Sequence, residues 1–207
     1  MKFDKFKLSI LTIILAFALW TIIFLLEPYD FWTSLSLATF LLMILSLAIN
    51  AETPARILGR VNLSMIIYGV ASGLLLYAFF YFGFQMLKSA PFLAQGVSSV
   101  YELRLSNPTY AIAVLLIFPI APAEEIYWRG LIQRRLTERS NPKTGLLLGA
   151  AAYALVHLPT LNPILIITAL IDGLVWGAIY QRTNSLVPGI ISHVIWDILI
   201  FVVLPLG

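Results

Sequence analysis

Seven apolar runs, most of them near the length that crosses a bilayer, decide what this chain can be. The first is Leu8 to Leu26, and the others are roughly 31–49, 65–87, 110–133, 145–160, 163–180 and 186–206. About 20 apolar residues wound as a helix cross the ~30 Å hydrocarbon core. Lipid solvates the outward side chains, and each helix satisfies its own backbone. Soluble domains carry roughly half apolar and a quarter charged residues. Here 60% of 207 residues are hydrophobic and 11% charged, more apolar surface than a soluble fold of this size can bury. The fold class predicted is all-α, a polytopic transmembrane bundle of about seven spans. The 145–160 and 163–180 runs are short, with Pro159 and Pro163 bracketing the turn between them.

The basic residues sort by loop. With the N-terminus in the cytoplasm, Lys2, Lys5 and Lys7 are inside, as are Arg56, Arg60, Arg134, Arg135, Arg139, Lys143 and Arg182, while Lys88 and Arg104 fall outside. That asymmetry is the positive-inside pattern. It assigns the net charge of +3 to topology and argues against nucleic acid as a partner. The expected setting is the cell membrane, multi-pass, with the lipid bilayer as one partner. The N-terminal apolar run is long enough to span and lacks a small-residue cleavage site, so it reads as an uncleaved first span rather than a signal peptide. Glu27 and Asp30 occupy a short external turn, and the 88–109 connection has room for a short interfacial helix. Residues 1–107 read as three N-terminal spans plus that connection, and 108–207 as a four-span core. Cysteine is absent, which excludes disulfides and thiolate metal sites. No inverted repeat of the transporter kind is visible.

Ionisable groups inside the apolar runs carry the functional information, because each costs about 3 kcal/mol at the bilayer centre. They are Glu124, Glu125 and Arg129 in the fourth run, His157 in the fifth, Asp172 in the sixth, and His193 and Asp197 in the seventh. Pro119 and Pro122 are expected to disrupt the helix just before the two glutamates, with Pro122 opening a new segment. Adjacent helical residues point about 100° apart. Glu125 and Arg129, at i and i+4, therefore pair on one face, and Glu124 is left to face a cavity. Tyr153 sits one turn before His157. His193 and Asp197 share a face, where a carboxylate can fix the tautomer of an imidazole or raise its basicity. Counted at roughly 1.5 Å per residue, Glu124, His157, His193 and Asp197 lie in one layer. The bland alternative is a set of buried packing contacts.

Two mechanisms fit this set. In one, Glu124 is the general base for water attacking a peptide carbonyl, the histidines assist, and no cofactor is required. In the other, Glu124, His157 and His193 hold zinc with water in the open position. There is no activated serine or cysteine arrangement, and no His–Glu–x–x–His helix.

These segments resemble the CPBP family of intramembrane proteases (CAAX protease and bacteriocin-processing, also called the Abi or type II CAAX prenyl endopeptidase family). Its first motif, Glu-Glu-x-x-x-Arg, is matched by Glu124, Glu125 and Arg129, with Gly130 following. Its second, an aromatic residue, three others and His, is matched by Tyr153 and His157, with tyrosine in place of the usual phenylalanine. Its third, His-x-x-x-Asn or Asp, is matched by His193 and Asp197. The resemblance covers roughly 108–207. It implies a bundle of eight helices or slightly fewer, Glu124 activating water, His157 and His193 helping, and a membrane-associated peptide or protein substrate. Glu125, Arg129 and Tyr153 then orient the site. Family accounts divide between glutamate-dependent and metal-dependent hydrolysis, and bacteriocin immunity and peptide maturation are roles associated with bacterial-type members. A proton-coupled transporter, which would use Asp172, and a non-catalytic immunity or scaffold protein are the competing expectations.

Overall fold

The structure is a computed structural model and describes residues 4–26, 29–51, 56, 58–59, 61–103 and 107–206. Lys2, Glu27, Arg60 and Arg104 lie outside the described residues. Every regular element among the described residues is helical. In chain order they are α1 (Lys5–Leu26), α2 (Phe31–Asn50) and α3 (Leu63–Leu87), then the short α4 (Pro91–Glu102) in the expected external connection. There follow α5 (Thr109–Arg139), α6 (Pro142–Leu155), α7 (Pro163–Thr183) and α8 (Val187–Val203). By length and composition α1, α2, α3, α5 and α7 can cross a membrane; α8 is apolar but shorter, and α6 has 14 residues. About seven spans is thus consistent with the helices observed.

Local chemistry places the helix starts. Asp30, Asn62, Asn141 and Asn162 each cap a helix by accepting a backbone N–H two or three residues ahead, which satisfies a donor that has no intrahelical partner. Prolines stand in the first turns of α4, α6, α7 and α8, where no amide hydrogen is needed.

The bundle is apolar outside and polar within. Leu11, Ile14, Leu75, Phe82 and Phe118 are exposed, whereas Ser46, Asn50, Glu125, Arg129 and Gln133 are buried. The interior groups bond between helices: Ser46 Oγ donates to Ile126 O at 3.0 Å and Asn50 Nδ2 to Gly130 O at 3.2 Å, joining α2 to α5. Gln133 Nε2 donates to Gly177 O at 2.9 Å, joining α5 to α7.

One expectation is met and one needs correction. Pro119 and Pro122 disrupt the α-helical ladder just before the glutamates, and Pro122 stands in the first turn of the α segment Ala121–Tyr127 that follows, while α5 still runs on as one helix of 31 residues. It absorbs the prolines in a widened turn over Leu116–Ile120, where the N–H of Ala121 reaches back to Leu116 O. Widening lets the ladder skip bonds that a proline nitrogen cannot donate. A second widened turn, Trp128–Gln133, follows the glutamates and contains Gly130, whose carbonyl accepts from Asn50 of α2. His157, expected within the fifth span, lies past the end of α6 in the turn that leads to α7. Pro159 prevents the helix from continuing there.

Small residues let the site-bearing helices approach. A Cβ on Gly73 of α3 would stand 2.8 Å from Ser192 O and 2.9 Å from Ile195 Cβ on α8, a backbone contact that no rotamer relieves. Gly73→Val should therefore lower the melting temperature of the detergent-solubilised protein, by the ~1–3 kcal/mol typical of overpacking. Gly83→Val, where nothing lies within 4 Å, should leave it unchanged. Equal melting of the two variants would contradict this packing.

Candidate active site

One cavity collects five of the seven ionisable groups that stand out for their cost in apolar runs. Its open volume is about 90 Å³, and Glu124, Tyr153, His157, Asp172, His193 and Asp197 all line it. They come from α5, the end of α6 and the turn after it, α7 and α8. Apolar walls are supplied by Trp20, Phe24 and Leu35 of α1 and α2 and by Leu165 and Ala169 of α7. Helices from before residue 108 thus close the same cavity.

Glu124 is 5% exposed, and its Oε2 accepts from the Tyr153 hydroxyl at 2.7 Å. That leaves Oε1 for another donor. Glu125, one residue on, faces away from the cavity and is fully buried. Its Oε1 accepts from Arg129 Nη1 at 2.8 Å and from His193 Nδ1 at 3.0 Å. The expected i, i+4 pair is present, and it also reaches the third motif. Arg129 Nη2 lies 3.4 Å from Asp172 O, and its guanidinium sits 5.0 Å from the Tyr153 ring and 5.3 Å from the Trp176 ring. Such contacts hold a desolvated cation in place.

His193 stacks on Trp176, with centroids 3.7 Å apart and planes 19° apart. A carboxylate can only accept, so Nδ1 carries the hydrogen given to Glu125. Nε2 then faces Asp197 Oδ2 at 3.5 Å. His157 is fixed by the same logic. Its Nδ1 donates to Tyr153 O at 2.8 Å, capping the end of α6, and its Nε2 accepts from Trp20 Nε1 at 3.3 Å. Trp20 and Trp176 were not legible as site residues, since a tryptophan in an apolar span carries no mark of its partner. Asp172 was noticed for its cost, and the structure adds that it lines this cavity.

The residues weighed as zinc ligands do not converge as arranged. Both ring nitrogens of His157 are engaged, Nδ1 of His193 is held by Glu125, and among the described residues no three His, Cys, Asp or Glu side chains are grouped to hold an ion. Open metal sites need such converging lone pairs.

Residues 106–199 match the family model described as type II CAAX prenyl endopeptidase Rce1-like. The matched segment, just under half of the chain, is similar to the Rce1-like family. The match contains all three motifs and agrees with the resemblance drawn from them, and at the level of the family it supports a CAAX-type intramembrane protease. No curated protein and no solved structure matches the chain.

Arg129→Met should be among the most destabilising changes at this site. It leaves Glu125 buried without its cation, a loss of about 3–5 kcal/mol, or on the order of 10 °C in melting temperature. Glu125→Gln in the same chain should recover part of that loss. Thermal unfolding in detergent measures both; no loss in the single variant would contradict the ion pair.

Proposed function

We propose that the protein is an intramembrane endopeptidase that hydrolyses a peptide bond of a membrane-associated or lipidated peptide or protein, with Glu124 as the base. The observation that carries this reading is the placement of Glu124 and both imidazoles on the wall of one small internal cavity.

Which atoms can donate sets the positions of the reacting groups. Tyr153 occupies Oε2 of Glu124, so Oε1 takes one hydrogen of a bound water. His157 has its only hydrogen on Nδ1 and its Nε2 lone pair is taken by Trp20, so it acts by walling the cavity beside that water. A water held on Oε1 of Glu124 points an oxygen lone pair toward an incoming carbonyl carbon. Glu124 removes a proton as the C–O bond forms. The carbonyl oxygen gains charge toward His193 Nε2 and Asp197, where one proton on that pair donates to it. The C–N bond then breaks, and the leaving nitrogen takes the proton from Glu124. Glu125 and Arg129 act by fixing His193 and touch no reacting atom.

A second apolar chamber of about 350 Å³ shares Val100, Leu165, Thr168, Trp196 and Phe201 with the catalytic cavity. An apolar stretch of substrate fits beside the reacting bond there. The charge pattern of the loops supports a multi-pass protein of the cell membrane with a cytoplasmic N-terminus.

The test is cleavage of a pool of membrane-spanning peptides by the purified protein, read by mass spectrometry. Glu124→Gln should lower cleavage at least ~100-fold, within the usual worth of a general base, and a chelator should leave the wild type unaffected. Equal cleavage by both proteins would refute Glu124 as base. Loss of activity with chelator, restored by zinc, would favour the metal mechanism.

A further inference from the structure

Three buried carboxyl groups line the cavity and a fourth, Glu125, lies behind its wall, and their partners divide unequally. Glu125 has Arg129 and His193, Asp197 faces His193, and Glu124 has the Tyr153 hydroxyl. Asp172 is 3% exposed and lines the cavity, yet its Oδ1 has no hydrogen-bond partner, and among the described residues no cation pairs with it. Arg129 meets the backbone carbonyl of Asp172 and pairs its charge with Glu125. The hydrolytic steps above give Asp172 no task.

A buried charge is tolerated when it is paired and hydrogen-bonded. Among the described residues Asp172 lacks that pair, and it lines the cavity in which a substrate must lie. The walls nearest it along α7 are Thr168, Ala169 and Leu165, of which two are apolar. An apolar wall ending in a carboxylate suits a side chain built as a methylene stem with a cationic tip. Resting on the peptidase reading, we propose that Asp172 is a specificity residue that receives a lysine or arginine side chain of the substrate next to the bond that is cut. The substrate class is then a membrane-associated peptide that carries a basic residue beside an apolar segment, with the apolar segment in the adjoining chamber.

The experiment uses the full chain in liposomes and two peptide pools. Each pool holds leucine-rich membrane peptides; the first places one lysine at successive depths, and the second places norleucine at the same positions. Mass spectrometry maps the cuts. The wild type should cut lysine peptides close to the lysine, at least about tenfold faster than their norleucine twins, a ratio that corresponds to one charge-assisted contact. Asp172→Asn, nearly isosteric and uncharged, should bring that ratio to about one, with the change in KM. Cleavage by the wild type with no lysine preference, or a preference that survives in Asp172→Asn, overturns the proposal and leaves the peptidase reading intact. If the variant does not fold, the lysine-to-norleucine ratio of the wild type decides alone. No cleavage of either pool counts against the peptidase reading and removes this inference with it.

Discussion

The arrangement depends on one carboxylate oxygen. Glu125 Oε1 accepts from a guanidinium on its own helix and from an imidazole 68 residues further on. Through it α5 and α8 hold one another at the depth of the site, and His193 is presented edge-on to Asp197. The close approach this needs is visible at Gly189, where a Cβ would stand 3.0 Å from the other oxygen of Glu125. Trp176 serves both sides of the clamp, stacking on His193 and facing Arg129. Charged-group hydrogen bonds in a dry interior are among the stronger ones, and a half-satisfied network is costly. The cluster therefore fixes one geometry rather than many.

A bilayer turns this into a functional device. Helices in lipid gain nothing from hiding leucine, so packing of small residues and polar contacts between helices select the structure. The backbone carbonyls of Ile126 and Gly130, at and just before the second widened turn of α5, accept from Ser46 and Asn50 of α2. The same helix delivers Glu124 to the cavity on one side and Glu125 to the clamp on the other, because neighbouring residues of a helix diverge. Apolar α1 and α2 complete the wall, so the segment that carries the motifs does not enclose the site by itself.

Much of this was readable before any coordinates. Class and the pairing of Glu125 with Arg129 follow from run length and i, i+4 spacing, both local properties. The shared cavity was inferable from cost and depth, since expensive groups on separate helices have one economical meeting place. What escaped was non-local or conformational. The contact from Trp20 to His157 spans 137 positions, and nothing in an apolar span announces it. The two prolines mark the disruption of the ladder before the glutamates, but that it takes the form of a widened turn within a continuous helix is not written in their spacing. His157 was assigned to a span when it closes one, because a histidine before a proline is equally at home in a helix and in the turn that ends it. The reach of Glu125 to His193 was missed because Arg129 already gave it a sufficient partner.

The most direct measurement of the central clamp is nitrogen NMR of the isotope-labelled imidazoles, which is uncrowded because the chain has two histidines. Replacing Glu125 by Gln should shift the Nδ1 resonance of His193, whose hydrogen is given to that carboxylate, and leave His157 with its Nδ1–H tautomer and resonance in place. Movement of His157 alone, or of neither ring, would contradict the clamp as the contact that sets the site.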